Sequence, residues 1–89
     1  MNVADLYEGT LTADQLEQLF DDLERTEFVQ ALVKGGATAR ARPSTLAGVR
    51  RAMAEGARAI QVAYRHDGDL WLDTLMAIPD GARLVRRRT

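Results

Sequence analysis

The stretch Tyr64-Arg65-His66-Asp67-Gly68-Asp69-Leu70-Trp71-Leu72-Asp73 (YRHDGDLWLD) holds the chain's only histidine and only tryptophan, together with three aspartates. Two readings compete for it: an acid–base cluster, or the tip of a β-hairpin with charged decoration. General acid–base work wants an imidazole oriented by a carboxylate in a site that excludes water, and a turn offers neither. One His with Asp67 and Asp69 also matches no recognised metal-ligand spacing. Asp-Gly between alternating apolar residues is a strong hairpin signal, so the hairpin reading is adopted.

The register of that hairpin decides which side chains share a face. A two-residue Asp67-Gly68 turn pairs Arg65 with Leu70 and Val62 with Asp73, which mixes charge with apolar groups. A three-residue loop, His66-Asp67-Gly68, pairs Arg65 with Asp69, Tyr64 with Leu70 and Val62 with Leu72. One face then carries Ile60, Val62, Tyr64, Leu70 and Leu72. The other carries Gln61, Ala63, Arg65, Asp69, Trp71 and Asp73. Because a one-residue slip inverts a strand, this segregation favours the three-residue loop. It leaves Trp71 on the polar face beside Asp69 and Asp73, covered by the N-terminal segment with Leu6 and Tyr7 or else serving as a contact. Tryptophan and arginine are the residues most enriched at interface hot spots. Arg65, Asp69, Trp71 and Asp73 are therefore the expected partner-binding residues.

Working outward, the period of two extends over Arg58–Arg65 and Asp69–Leu75, Pro79-Asp80-Gly81 is a turn, and Arg83–Arg86 reads as a last strand. Upstream the period changes. Thr12 with Gln15 forms a capping box, Leu11 with Leu16 a hydrophobic staple, and Leu16, Leu19, Phe20 and Leu23 recur at helical spacing to about Arg25. Residues 26–34 break that stripe at Glu27 and read as a strand, the rival being one long helix capped by Gly35. Gly36–Arg42 is a small-residue connector ending at Pro43. A second helix follows, capped by Ser44 or Thr45, with Leu46, Val49 and Met53 on one face, Arg50 and Arg51 off it, and Gly56 as the stop.

The expected fold class is α+β: one domain over residues 1–89, in the order α-β-α-β-β-β with α-α-β-β-β as the alternative. Its helices pack on one face of a mainly antiparallel sheet. Residues 1–10 and 86–89 are expected as flexible ends.

Composition limits the function classes. The 89-residue chain has no cysteine, which excludes a disulfide framework and a thiolate nucleophile. Nothing at the N-terminus resembles a signal or an anchor, and the expectation is a cytoplasmic protein with no membrane role. Residues 1–34 carry eight acidic and two basic side chains, whereas residues 35–89 carry ten arginines and five acids. That split fits an acidic helix beside a basic surface, in the same molecule or in a partner. Arg50, Arg51, Arg86, Arg87 and Arg88 are the residues for a nucleic-acid contact, against which stand the acidic first helix and a pI of about 5.7. Ser44, the sole serine, belongs to a helix cap. Gly35-Gly36-Ala37-Thr38 lacks the lysine ending of a phosphate loop. No motif calls for a cofactor.

The expected function is that of a small non-catalytic accessory or interaction protein. It self-associates as a homodimer or binds a protein partner through a sheet face or edge, and a nucleic-acid-binding regulator is the alternative. A small core gains from association.

Overall fold

In the computed structural model, residues 6–34 and 42–89 are described. Thr12 caps the first helix as its spacing predicts: its hydroxyl accepts from the Gln15 amide at 3.2 Å, and Gln15 Oε1 accepts from the Thr12 amide at 2.9 Å. The elements run β1 (Leu6–Thr12), α1 (Ala13–Leu23), β2 (Glu27–Lys34), β3 (Arg42–Ser44), α2 (Leu46–Ala54), β4 (Ala59–His66), β5 (Asp69–Ile78) and β6 (Gly81–Arg88). The expected order α-β-α-β-β-β is present, with two further strands, β1 before the first helix and β3 before the second. Glu27–Lys34 is a strand, which removes the all-helical alternative for that segment. Thr45, not Ser44, caps α2, accepting from the Gly48 amide at 2.9 Å. Gly56 ends that helix region with a positive φ of 98°. The connector expected over residues 36–42 lies outside the described residues except for Arg42, which opens β3.

The strands form one antiparallel sheet in the order β1-β6-β5-β4-β2-β3. Of the ends expected to be flexible, residues 6–10 and 86–88 are in strands, and residues 1–5 lie outside the described residues. Leu6–Thr10 pair with β6, and Arg86–Arg88 are laddered to β5. Opposite rows such as Ile60–Leu75–Leu84 are fully or almost fully buried, and Ala31, Val62, Tyr64 and Ala82 share their face. Phe20 and Leu23 of α1 and Val49 of α2 complete this core, with Leu11, Leu16, Leu19, Leu46 and Met53 packed around it. Both helices therefore cover one face of the sheet, α1 over β1 and β6, α2 over β2 and β4. Among the described residues no helix covers the other face.

The hairpin register differs from the expected one. His66 pairs with Asp69, Arg65 with Leu70, Tyr64 with Trp71, Val62 with Asp73 and Ile60 with Leu75. The loop is the two residues Asp67 and Gly68, with φ of 52° and 84°, and positive φ at both positions is what a two-residue turn of matching twist requires. Trp71 consequently lies on the helix-covered face and packs against the core, not on a polar face. Asp73 lies there too. Face segregation failed because a third strand supplies an ion partner for Asp73, an option invisible when two strands are considered alone.

Candidate functional site

Three side chains meet at the centre of the helix-covered face. Asp73 on β5 is fully buried. It accepts from Tyr64 Oη on β4 at 3.0 Å and, in a two-pronged contact, from Arg86 Nε and Nη2 on β6, each at 2.9 Å. The register explains the meeting, since Asp73 pairs with Val62 on one side and with Arg86 on the other, while Tyr64 sits one row along. Burial, and then the Asp73 charge, push the Tyr64 phenol well above its ordinary pKa, so it stays protonated. Hydrogen bonding to Asp73 likewise raises Arg86. Both carboxylate oxygens are thus spent on holding β4, β5 and β6 in register.

Beside this network a cleft of about 500 Å³ opens between α1 and the sheet. Leu11, Leu19 and Leu84 form its apolar wall, and Gln18, Asp22 and His66 stand among its polar groups. His66 lies 3.4 Å from Asp67, and both side chains are largely exposed, as the solvated-turn reading expects. Among the described residues, no three His, Cys, Asp or Glu side chains are placed to hold a metal.

The acidic first helix finds its counter-charge inside the molecule. Arg50 of α2 reaches Glu17 at 2.6 Å, Asp21 at 3.0 Å and Glu24 at 3.4 Å. Its guanidinium also lies 5.6 Å from the Phe20 ring centre. Hydrogen bonds to Glu17 and Asp21 hold Arg50 above its ordinary pKa.

The open face is the less ordinary surface. Along β5 the outward positions are Leu70, Leu72, Thr74, Met76 and Ile78, whereas the inward ones include the buried Asp73. Leu72 is flanked by Ala63 and Arg87, Thr74 by Gln61 and Val85, and Met76 by Ala59 and Arg83. Leu32 on β2 and Leu6 on β1 lie on the same face, separated from β5 by Gln61 and by Arg87. An antiparallel sheet with one solvated face normally turns polar residues outward. Here the longest strand does the reverse, and no helix covers it among the described residues. Leu70, Leu72 and Met76 are partly exposed and Ile78 is exposed, and apolar side chains left in a row on an uncovered face form a candidate contact site.

The residues singled out from the sequence do not share one surface. Asp69, Trp71 and Asp73 lie on the helix-covered face, and Arg65 lies on the open face at the end of β4. Of the arginines, Arg50 is bound to α1, Arg86 to Asp73, and Arg88 lies 3.6 Å from Asp69. Arg51 is exposed on α2, and Arg87 is exposed on the open face. The open-face residues Leu70, Leu72, Met76 and Ile78 were missed because the adopted register placed the two leucines inside. Their signal was present: alternate apolar positions continue from Leu70 to Ile78, beyond the expected end of the strand at Leu75.

Comparison with protein-family models, with characterised proteins and with solved structures returned no match. No helix among the described residues is long and apolar enough to cross a membrane.

Proposed function

We propose that the chain is a small, non-catalytic accessory protein that self-associates and, through the open face of β5, binds a protein partner. The observation that carries this reading is the row Leu70, Leu72, Met76 and Ile78 on a face that both helices leave bare. Full burial of such a side chain is worth about 1.5–3 kcal/mol, and Leu70, Leu72 and Met76, already partly buried, would gain only part of it against a partner. Arg65, Arg83 and Arg87 at the margins supply the polar rim that specific interfaces carry. Asp73, the one fully buried charged residue among the described residues, is already satisfied and acts as a structural tie.

The test is a pair of substitutions on the open face, Leu72→Asp with Met76→Asp. The double variant keeps the wild-type circular dichroism, because neither side chain belongs to the core, yet it loses the protein partner that the wild-type chain binds in its own cell. A variant that folds normally and retains every association removes the open face from consideration.

A further inference from the structure

We propose that β1 is a dimerisation edge, where a second copy of this chain adds its own β1 antiparallel to the first in the register centred on Gly9. This rests on the self-association part of the preceding reading and names the surface.

The phase of the ladders decides which backbone groups of β1 are free. The Thr89 amide donates to the Leu70 carbonyl at 2.9 Å. On β6, residues 81, 83, 85 and 87 therefore exchange hydrogen bonds with β5, and Ala82, Leu84 and Arg86 turn theirs towards β1. Their partners on β1 are Leu11, Gly9 and Tyr7. Leu6, Glu8, Thr10 and Thr12 consequently direct N–H and C=O away from the sheet. Thr12 agrees independently, since its amide is given to Gln15 and not to β6.

The two edges of the sheet differ. β3 has three residues, one of them Pro43, which removes a donor, and both devices blunt an edge against pairing. β1 has seven residues and no proline or lysine, and its ladder with β6 runs without a bulge. Glu8 and Thr10 are exposed, and no strand among the described residues pairs with their outer side. A long, regular edge of this kind is a template for another strand.

Strand chemistry selects the occupant and the register. Centring the pair on Glu8 sets two glutamates directly opposite each other, which is unfavourable. Centring it on Thr10 sets Glu8 against Thr12, whose amide is occupied, and leaves Leu6 unpaired. Centring it on Gly9 sets Glu8 of each copy opposite Thr10 of the other in two fully exchanging pairs, with the Thr12 whose amide is occupied meeting only Leu6 at the ends. Tyr7 then faces Leu11 of the second copy at a closely spaced pair. A Cβ at Gly9 would come within 2.7 Å of Tyr7 Oη, so each tyrosine already lies back over Gly9, towards the two-fold axis. Tyr7 and Leu6, both about half exposed, are covered in the pair.

The experiment is sedimentation equilibrium of the full chain, wild type against three variants. The wild type is expected to dimerise. Thr10→Glu places like charges opposite each other at two symmetric contacts and weakens dimerisation about tenfold or more. The double variant Glu8→Arg with Thr10→Glu restores it. Thr10→Pro removes an outward N–H without touching the β6 ladder, so it abolishes the dimer while the chain keeps its wild-type circular dichroism. A wild type that is monomeric at every accessible concentration overturns the proposal and self-association together. A dimer indifferent to all three variants but lost in Leu72→Asp overturns the edge alone and leaves self-association through the open face.

Discussion

Replacing Arg86 by methionine tests whether the buried network holds the sheet together. Methionine keeps much of the aliphatic stem and removes the guanidinium, so two hydrogen bonds of 2.9 Å to Asp73 are lost. The carboxylate, with no exposed surface, then keeps only the Tyr64 hydroxyl at 3.0 Å. Breaking a buried pair by removing one partner costs about 3–5 kcal/mol, because the remaining charge is left uncompensated. The Arg86 side chain is 32% exposed, so water can enter where the guanidinium stood, and the expected loss lies near 3 kcal/mol. For a domain of this size that lowers the melting temperature by roughly 12–24 °C. The assay is urea unfolding followed by the fluorescence of Trp71, which packs against the core across the strand pair from Tyr64. The double variant Arg86→Met with Asp73→Leu should recover most of the loss, since an apolar pair leaves no stranded charge. A single variant within about 1 kcal/mol of wild type would refute the reasoning, as would a double variant less stable than the single one.

Tyr64 sets an alkaline limit on stability. Its folded pKa lies above the ordinary 10.0, so its contribution is complete below that pH and is lost as the pH climbs from there through the folded value. Urea midpoints of wild type and Tyr64→Phe should therefore converge above pH 10, whereas a constant gap would contradict the burial of a protonated phenol. Arg50→Ala should lower the melting temperature at low salt by freeing Glu17, Asp21 and Glu24, and the deficit should shrink as salt screens those exposed charges. A salt-independent deficit would mean that the stem's packing on Phe20 matters and the charges do not. Gly68→Ala meets no neighbouring atom, so its cost is the strain of φ at 84° alone, about 1–2 kcal/mol by thermal melting. Asp67→Asn suits the same turn and should be neutral or slightly stabilising.

Local signals were legible where the causes are local. The capping box at Thr12, the strand at residues 27–34 and the presence of a hairpin around Asp67-Gly68 depend on neighbours within a few positions. The register of the central hairpin did not follow from the same reasoning. Sorting charge outward assumes that an aspartate in a strand faces water, and Asp73 faces Arg86 from a strand paired on its far side. That assumption puts Leu70 and Leu72 in the core and Trp71 on a polar face with Arg65, Asp69 and Asp73, whereas the register places Asp69, Trp71 and Asp73 on the helix-covered face and Arg65 on the other. β1 was missed because Leu6–Thr12 has no alternation of its own. Its pairing with β6 spans nearly the whole chain and leaves no mark at short range. The split of charge between the halves pointed to an acidic helix beside a basic surface, and the one contact of that kind within the described residues is Arg50 of α2 against Glu17, Asp21 and Glu24.

The central claim is that the bare face of β5 is a contact surface. A photo-crosslinking residue placed at position 72, in the middle of the stripe, tests it most directly against the same residue at position 51, an exposed position on α2. Irradiation in the native cell should give a discrete protein adduct from position 72, to a second copy or to another chain, and none from position 51. No adduct from position 72, or identical adducts from both positions, would contradict the account.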